Sequence, residues 1–196
     1  MKSISWHIHQ LKYLWYFLGF FVLLELINLF TGRVLNQYSI VPRDLSHLGF
    51  IFSSPFLHGS LSHFLSNIAT LAVFTLLVSQ FVNKAGRSMS KNALSFFALT
   101  FFIIGVSGLC VWLFARPAYH LGASGLLYGY FGYLVLAGWL QNRISLFLIS
   151  IMVAIFYGAI VWGMLPQNAY VSWESHLFGF LSGLSVAWLR RGVAQA

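Results

Sequence analysis

Residues 122–140 read GASGLLYGYFGYLVLAGWL, a stretch without one charged side chain. As a helix rising about 1.5 Å per residue it nearly spans the ~30 Å hydrocarbon core of a bilayer. The third residue of the stretch is a serine, Ser124, whose hydroxyl is costly in lipid unless it has a task or a partner. The rest of the chain agrees with the apolar reading. With 59% hydrophobic and 7% charged residues over 196 positions, and a mean hydropathy of +0.81, there is too little polar surface to clothe a water-soluble domain. The chain reads as an integral membrane protein.

Working outward, five further apolar runs can be drawn, giving six in all: 13–30, 62–82, 93–115, 122–140, 144–165 and 171–189. The last is interrupted by Glu174 and His176. No linker, low-complexity tract or fixed-period repeat divides the chain, so a single domain over residues 1–196 is expected. Lys2 and Lys12 precede the first run and no small-x-small cleavage site follows it, which reads as a retained anchor with too little chain before it for a cytosolic domain. The lone Cys110 can form no intrachain disulfide.

The net charge of +8 comes from eleven basic residues that are scattered between the apolar runs instead of gathered into a nucleic-acid patch. Their distribution is a topology signal. In a six-span arrangement Lys2, Lys12, Lys84, Arg87, Lys91, Arg143, Arg190 and Arg191 fall on one side, and Arg33, Arg43 and Arg116 on the other. The positive-inside rule then places both termini in the cytoplasm. Trp6, Trp15, Trp139 and Trp188 sit near the inner interface and Trp112, Trp162 and Trp173 near the outer one, as interfacial anchors do.

Depth follows from counting along the helices. The separations Ser124 to Gln141, Asn67 to Lys84 and His176 to Arg190 correspond to roughly 21 to 25 Å. A serine, an asparagine and a histidine therefore share one layer in the outer half of the membrane, with His63 one turn above Asn67. A serine hydroxyl becomes a nucleophile when a base lies within hydrogen-bond reach, and imidazole suits that task. The side chains of His63 and Asn67 and the backbone N–H of Ser124, at the start of its helix, can supply donors to an oxyanion. The chain's acidic residues are Glu25, Asp44 and Glu174, and none has an evident claim to orient the histidine, so a Ser–His dyad is the economical reading.

Gly125 and Gly129 form a GxxxG pattern on the fourth run, with Gly122 and Gly132 close by, and Gly179 and Gly183 form a second on the sixth. Small residues at this spacing let two helices approach closely, which would bring Ser124 to His176 and let Tyr128 pack on the imidazole.

These residues resemble the rhomboid intramembrane serine proteases. His63-x-x-x-Asn67 is similar to the family's HxxxN motif, Gly122-Ala123-Ser124-Gly125 to its GxSG, and His176-x-x-Gly179-x-x-x-Gly183 to its final-helix motif, with His58 and Tyr128 also at family positions. The resemblance covers the second to sixth runs in order. It implies an all-α membrane protein, a six-transmembrane-helix rhomboid-type bundle. Ser124 would then be nucleophile, His176 general base and acid, and His63, Asn67 and the Ser124 amide the oxyanion site. It implies a connection between the first two helices that packs partly in the membrane interface, suiting the apolar stretch 48–56. One departure concerns that connection: the Trp-Arg pair of many members is absent.

Other readings of the same residues are weighed beside this one. GxSG alone occurs at ordinary helix interfaces, His176 alone could hydrogen-bond a neighbouring helix, and Asn67 alone is commonly interhelical glue. No buried strand precedes Ser124, which excludes a soluble hydrolase elbow. A catalytically silent escort or binding factor, or a small channel with a polar layer, are the alternatives. The first is disfavoured because such relatives typically lose the Ser or His, the second because no inverted repeat or charged pathway is evident. No Cys/His/carboxylate group has metal-ligand spacing and no Gly-rich loop follows a strand, so neither metal, nucleotide nor other cofactor is expected. The expected partners are the lipid bilayer and transmembrane protein substrates, with no nucleic acid and no oligomeric state specified. A bacterial inner membrane is the expected location. Glu25 reads as a structural group in the first helix. His7 and His9 read as solvated, and His47 and His120 as interfacial.

Overall fold

A computed structural model describes residues 11–84, 86–166 and 171–191. Lys2, Trp6, His7 and His9 lie outside the described residues. Six α-helices occur among the described residues: α1 Lys12–Phe30, α2 Leu61–Val82, α3 Met89–Phe114, α4 Ser124–Leu140, α5 Ile144–Tyr157 and α6 Trp173–Leu189. Among these residues there is no strand, only an isolated bridge between Ile40 and His120. Lys12–Phe30, Leu61–Val82, Met89–Phe114 and Ile144–Met164 are each long and apolar enough to cross a membrane, and α4 is a shorter apolar helix.

The elements follow the runs, with differences that have local causes. α3 starts at Met89 instead of residue 93 because the Ser88 hydroxyl accepts the Lys91 N–H at 3.4 Å, a cap that carries the helix through its basic first turn. α4 starts at Ser124, since Gly122 has φ +116°, a left-handed conformation that belongs to a turn. The fifth run is α-helical only to Tyr157 and continues as a 3-10 segment, Gly158–Met164. That change of winding proves to matter for the site.

α4 is the hub. Leu126 to Leu134 are buried without interruption, as expected of a helix apolar on every face. Its glycines replace side chains with backbone contacts. A Cβ on Gly179 or Gly183 would strike the carbonyl oxygen of Gly125 or Gly129, so α4 and α6 pack with their backbones touching. Phe74, Phe96, Leu99, Ile103, Tyr130 and Tyr133 complete a fully buried core around α4. The outer surface is apolar: Phe30, Leu94, Phe114, Ile144, Ile155, Phe156 and Trp162 are all exposed. Such a surface is suited to lipid and hostile to water.

The connection from α1 to α2 folds as three 3-10 turns, Val34–Tyr38, Leu45–Ile51 and Ser54–Phe56. It is pinned to the end of α3. Trp112 Nε1 donates to the Asp44 carbonyl at 2.8 Å, Arg43 Nη1 donates to the Ala115 carbonyl at 2.8 Å, and a Cβ on Gly108 would lie 2.8 Å from the Ile51 Cβ. Leu45 and Phe52 point outward from it.

Candidate functional site

The turn before α4 is built by three neighbours. Gly122 N–H donates to the Ser54 carbonyl at 3.0 Å, and Ala123 N–H donates to His58 Nε2 at 3.3 Å. Ser124 is the first helical residue, so its own N–H has no carbonyl one turn back to reach. Among the described residues neither that amide nor the Ser124 hydroxyl forms a hydrogen bond, and the residue is half-buried.

His63 and Asn67 face this turn from α2. A Cβ on Gly122 would lie 2.8 Å from His63 Cε1, 3.0 Å from its Nε2 and 3.6 Å from Asn67 Nδ2, so glycine is required there both for its φ and for space. Asn67 is buried, and its Nδ2 has no hydrogen-bond partner. An orphaned buried amide is expensive and is satisfied when an acceptor arrives. Donors without partners thus gather at one end of α4.

His176 approaches from the other side. Its ring stacks on Tyr128 with centroids 4.1 Å apart and planes 7° from parallel. Tyr128 lies one turn after Ser124 on the same face of α4, and Gly125 abuts Ser175, so Ser124 is bracketed against the turn of α6 that carries His176. His176 Nδ1 lies 2.8 Å from the Gly163 carbonyl oxygen. A carbonyl only accepts, so Nδ1 carries the proton and the neutral ring presents Nε2 as a bare acceptor. The 3-10 segment makes this possible. Tyr128 OH donates to the Ile160 carbonyl at 2.8 Å, and a Cβ on Gly163 would collide with the Tyr128 hydroxyl.

The start of α6 is tied to the same turn through His120. Its Nε2 donates to the Arg116 carbonyl at 2.9 Å and its Nδ1 accepts from Ser172 Oγ at 2.5 Å, while its backbone pairs with Ile40 and accepts from Ser54 Oγ at 2.5 Å. Arg116 in turn meets Glu174 at 3.7 Å and donates to the Val171 carbonyl at 2.6 Å. Burial pushes His120 below the usual imidazole value, and burial above all, with the nearby His63 and Arg33, holds His58 down at about 3. Both are neutral at physiological pH.

The structure therefore sets Gly122, His63, Asn67 and His58 around the turn that leads into Ser124 and stacks Tyr128 on His176, with no hydrogen bond between Ser124 and His176 among the described residues, and Gly125, Gly129, Gly179 and Gly183 form the seam between the two helices. Sequence reasoning did not find the Gly163 carbonyl, because any residue has one and only the 3-10 path aims it. It also missed Ser54 and Ser172. Glu25, placed in the first helix as a structural group, is 2% exposed and paired with Arg33 Nη1 at 2.8 Å. No group of three metal-ligating side chains occurs among the described residues.

An all-helical membrane protein with a serine and a tautomer-fixed histidine on adjoining helices is the class that fold and geometry define. The family model described as Rhomboid domain matches residues 45–192, and the chain belongs to the rhomboid family. It is 30% identical over 183 residues to an uncharacterized protein of Mycobacterium tuberculosis and to one of Mycobacterium bovis, in each case covering 88% of this chain and 72% of the relative. An uncharacterized protein of Mycobacterium leprae is 29% identical over 182 residues, covering 88% and 68%. The family consists mostly of intramembrane serine proteases.

Proposed function

We propose that this protein is an intramembrane serine endopeptidase that cleaves peptide bonds in or near transmembrane segments through Ser124 and His176. The observation that carries the reading is the Nδ1 contact of His176 with the Gly163 carbonyl, which does the orienting work a carboxylate does in a triad. His176 Nε2 takes the proton of Ser124 as Oγ attacks the scissile carbonyl. The oxyanion is received by the Ser124 N–H, Asn67 Nδ2 and His63. His176 then gives its proton to the leaving amine, and the acyl-enzyme is hydrolysed by a water that His176 deprotonates. A helical peptide bond is shielded by its own hydrogen bonds, so substrates with small or helix-breaking residues near the outer face are the expected class.

In this proposal the six helices α1 to α6 all span the membrane, as one domain, with both termini cytoplasmic and the site opening outward. The basic residues Lys84, Arg87, Lys91, Arg143 and Arg190 at one end of the bundle support that orientation. A bacterial inner membrane fits it. The test is fluorophosphonate labelling of purified protein, together with cleavage of a transmembrane reporter. Wild type is modified at Ser124, and Ser124→Ala and folded His176→Ala do not cleave. Wild type that neither labels nor cleaves, or a Ser124→Ala variant that still cleaves, overturns the assignment and favours an escort role.

A further inference from the structure

A carboxylate lies behind the candidate site with no part in the chemistry just described. Glu25, in α1, is almost wholly buried beside His58, whose side chain is fully buried. Its Oε1 pairs with Arg33 Nη1 at 2.8 Å, and its Oε2 lies 3.7 Å from His58 Nδ1, too long for a hydrogen bond, with neither of these two atoms hydrogen-bonded elsewhere among the described residues. The same Arg33 nitrogen donates to the His58 carbonyl at 2.8 Å, and Asn36 Nδ2 donates to it at 3.2 Å. Arg33 reaches this position from a left-handed backbone, φ +67°, directly after Gly32 at φ +66°. A non-glycine residue pays for that conformation, and here the buried ion pair holds it.

The hydrogen bonds of the turn connect the cluster to the residues before Ser124. His58 Nε2 accepts from Ala123 N–H, so in the neutral ring the proton must sit on Nδ1, the nitrogen turned to Glu25. With Gly122 N–H given to Ser54 and Ala123 N–H given to His58, only the Ser124 amide of the three is left open. If the ring took the other tautomer, Nε2–H would face Ala123 N–H, two donors in opposition, and the turn would have to rotate.

We propose that Glu25 is a positioning residue for the Ser124 turn: paired with Arg33, it selects the Nδ1–H tautomer of His58, and His58 thereby anchors Ala123 and leaves the Ser124 amide as the open oxyanion donor. The role rests on the serine-protease reading of the site.

The test uses the full chain in detergent micelles and two variants. Glu25→Leu with Arg33→Leu removes both charges at once, so no orphaned ion remains to unfold the bundle. Glu25→Gln keeps the shape and an accepting oxygen, though a weaker acceptor than a carboxylate. The readouts are the rate of fluorophosphonate labelling, kcat and KM on a transmembrane reporter, and the 15N signals of His58, assigned by their loss in His58→Gln. In the double variant the expected result is labelling and kcat lower by about tenfold to a hundredfold, less than or equal to the loss of one oxyanion donor, with KM within about twofold and His58 in mixed tautomers. Glu25→Gln leaves Arg33 its bond to the His58 carbonyl, and is expected to slow labelling about threefold with a partial tautomer shift. The Phe56 carbonyl also faces the His58 ring. If it holds the tautomer alone, both variants keep a pure Nδ1–H signal and the wild-type rate, and the proposal is overturned; a loss in KM alone overturns it as well. Wild-type protein that never labels defeats the protease reading, while the His58 signals still decide whether Glu25 controls the ring.

Discussion

The seam between α4 and α6 makes a prediction that two glycines of similar sequence context should behave oppositely. A Cβ on Gly125 would lie 3.4 Å from the Ser175 carbonyl oxygen and 3.7 Å from its Cβ, ordinary contacts. A Cβ on Gly179 would overlap the Gly125 carbonyl oxygen and lie 2.9 Å from its carbon and 3.2 Å from its Cα. All three are backbone atoms, so no rotamer change relieves the clash, and the helices must part by on the order of an ångström in an interior packed as densely as a crystal. Overpacking of this kind costs about 1–3 kcal/mol, set against about 0.5–1 kcal/mol gained by replacing a helical glycine with alanine. Gly179→Ala should therefore lose roughly 1–2 kcal/mol and Gly125→Ala almost nothing. Activity should separate further, because Ser124 and His176 sit on either side of this seam and a displacement of about 1 Å costs about a hundredfold in rate. Chemical denaturation in mixed micelles and cleavage of a transmembrane reporter measure the two effects. A Gly179→Ala variant as stable and as active as wild type, or a Gly125→Ala variant equally damaged, would refute the backbone-contact account of the seam.

Tyr128 should separate stacking from hydrogen bonding: Tyr128→Phe keeps the ring on His176 and loses only the bond to the Ile160 carbonyl, for about 1 kcal/mol of stability and a few-fold in kcat, whereas Tyr128→Ala removes the stack and should lose at least about tenfold more. Comparable kcat in the two variants would contradict this. Acid should destabilise the protein through its buried neutral histidines. His58 at about 3 binds its proton less readily folded than unfolded, near 6.5, so the unfolded state takes up more protons and stability falls as pH drops below about 6.5. Between pH 7 and 5 the expected loss from His58 is about 2 kcal/mol, with His120 shifted in the same direction adding to it. Denaturation midpoints that do not move over this range would refute it.

What the sequence disclosed and what it hid divide along a physical line. The helices were legible because lipid requires long apolar runs, and their errors fell where a local device overrode hydropathy: the Ser88 cap, the turn at Gly122, the 3-10 winding after Tyr157. Ser124, His176, His63 and Asn67 stood out because polar side chains in such runs are conspicuous, and the structure sets His63 and Asn67 against the turn before Ser124. The elements that orient them were not legible, since the Gly163 carbonyl and the amides of Gly122 and Ala123 are backbone groups with no residue-type signature. Glu25 shows the intermediate case. Its cost in an apolar helix marked it at once, but its partner Arg33 is brought back to it only by two successive left-handed residues, Gly32 and Arg33, that no spacing rule predicts. On the protease reading proposed above, a missing third side chain need not mean a missing third function. In this fold His176 is held by a main-chain carbonyl, and His58 meets a main-chain amide on one nitrogen and the Glu25 carboxylate on the other, so the path of the backbone carries information that residue types alone do not.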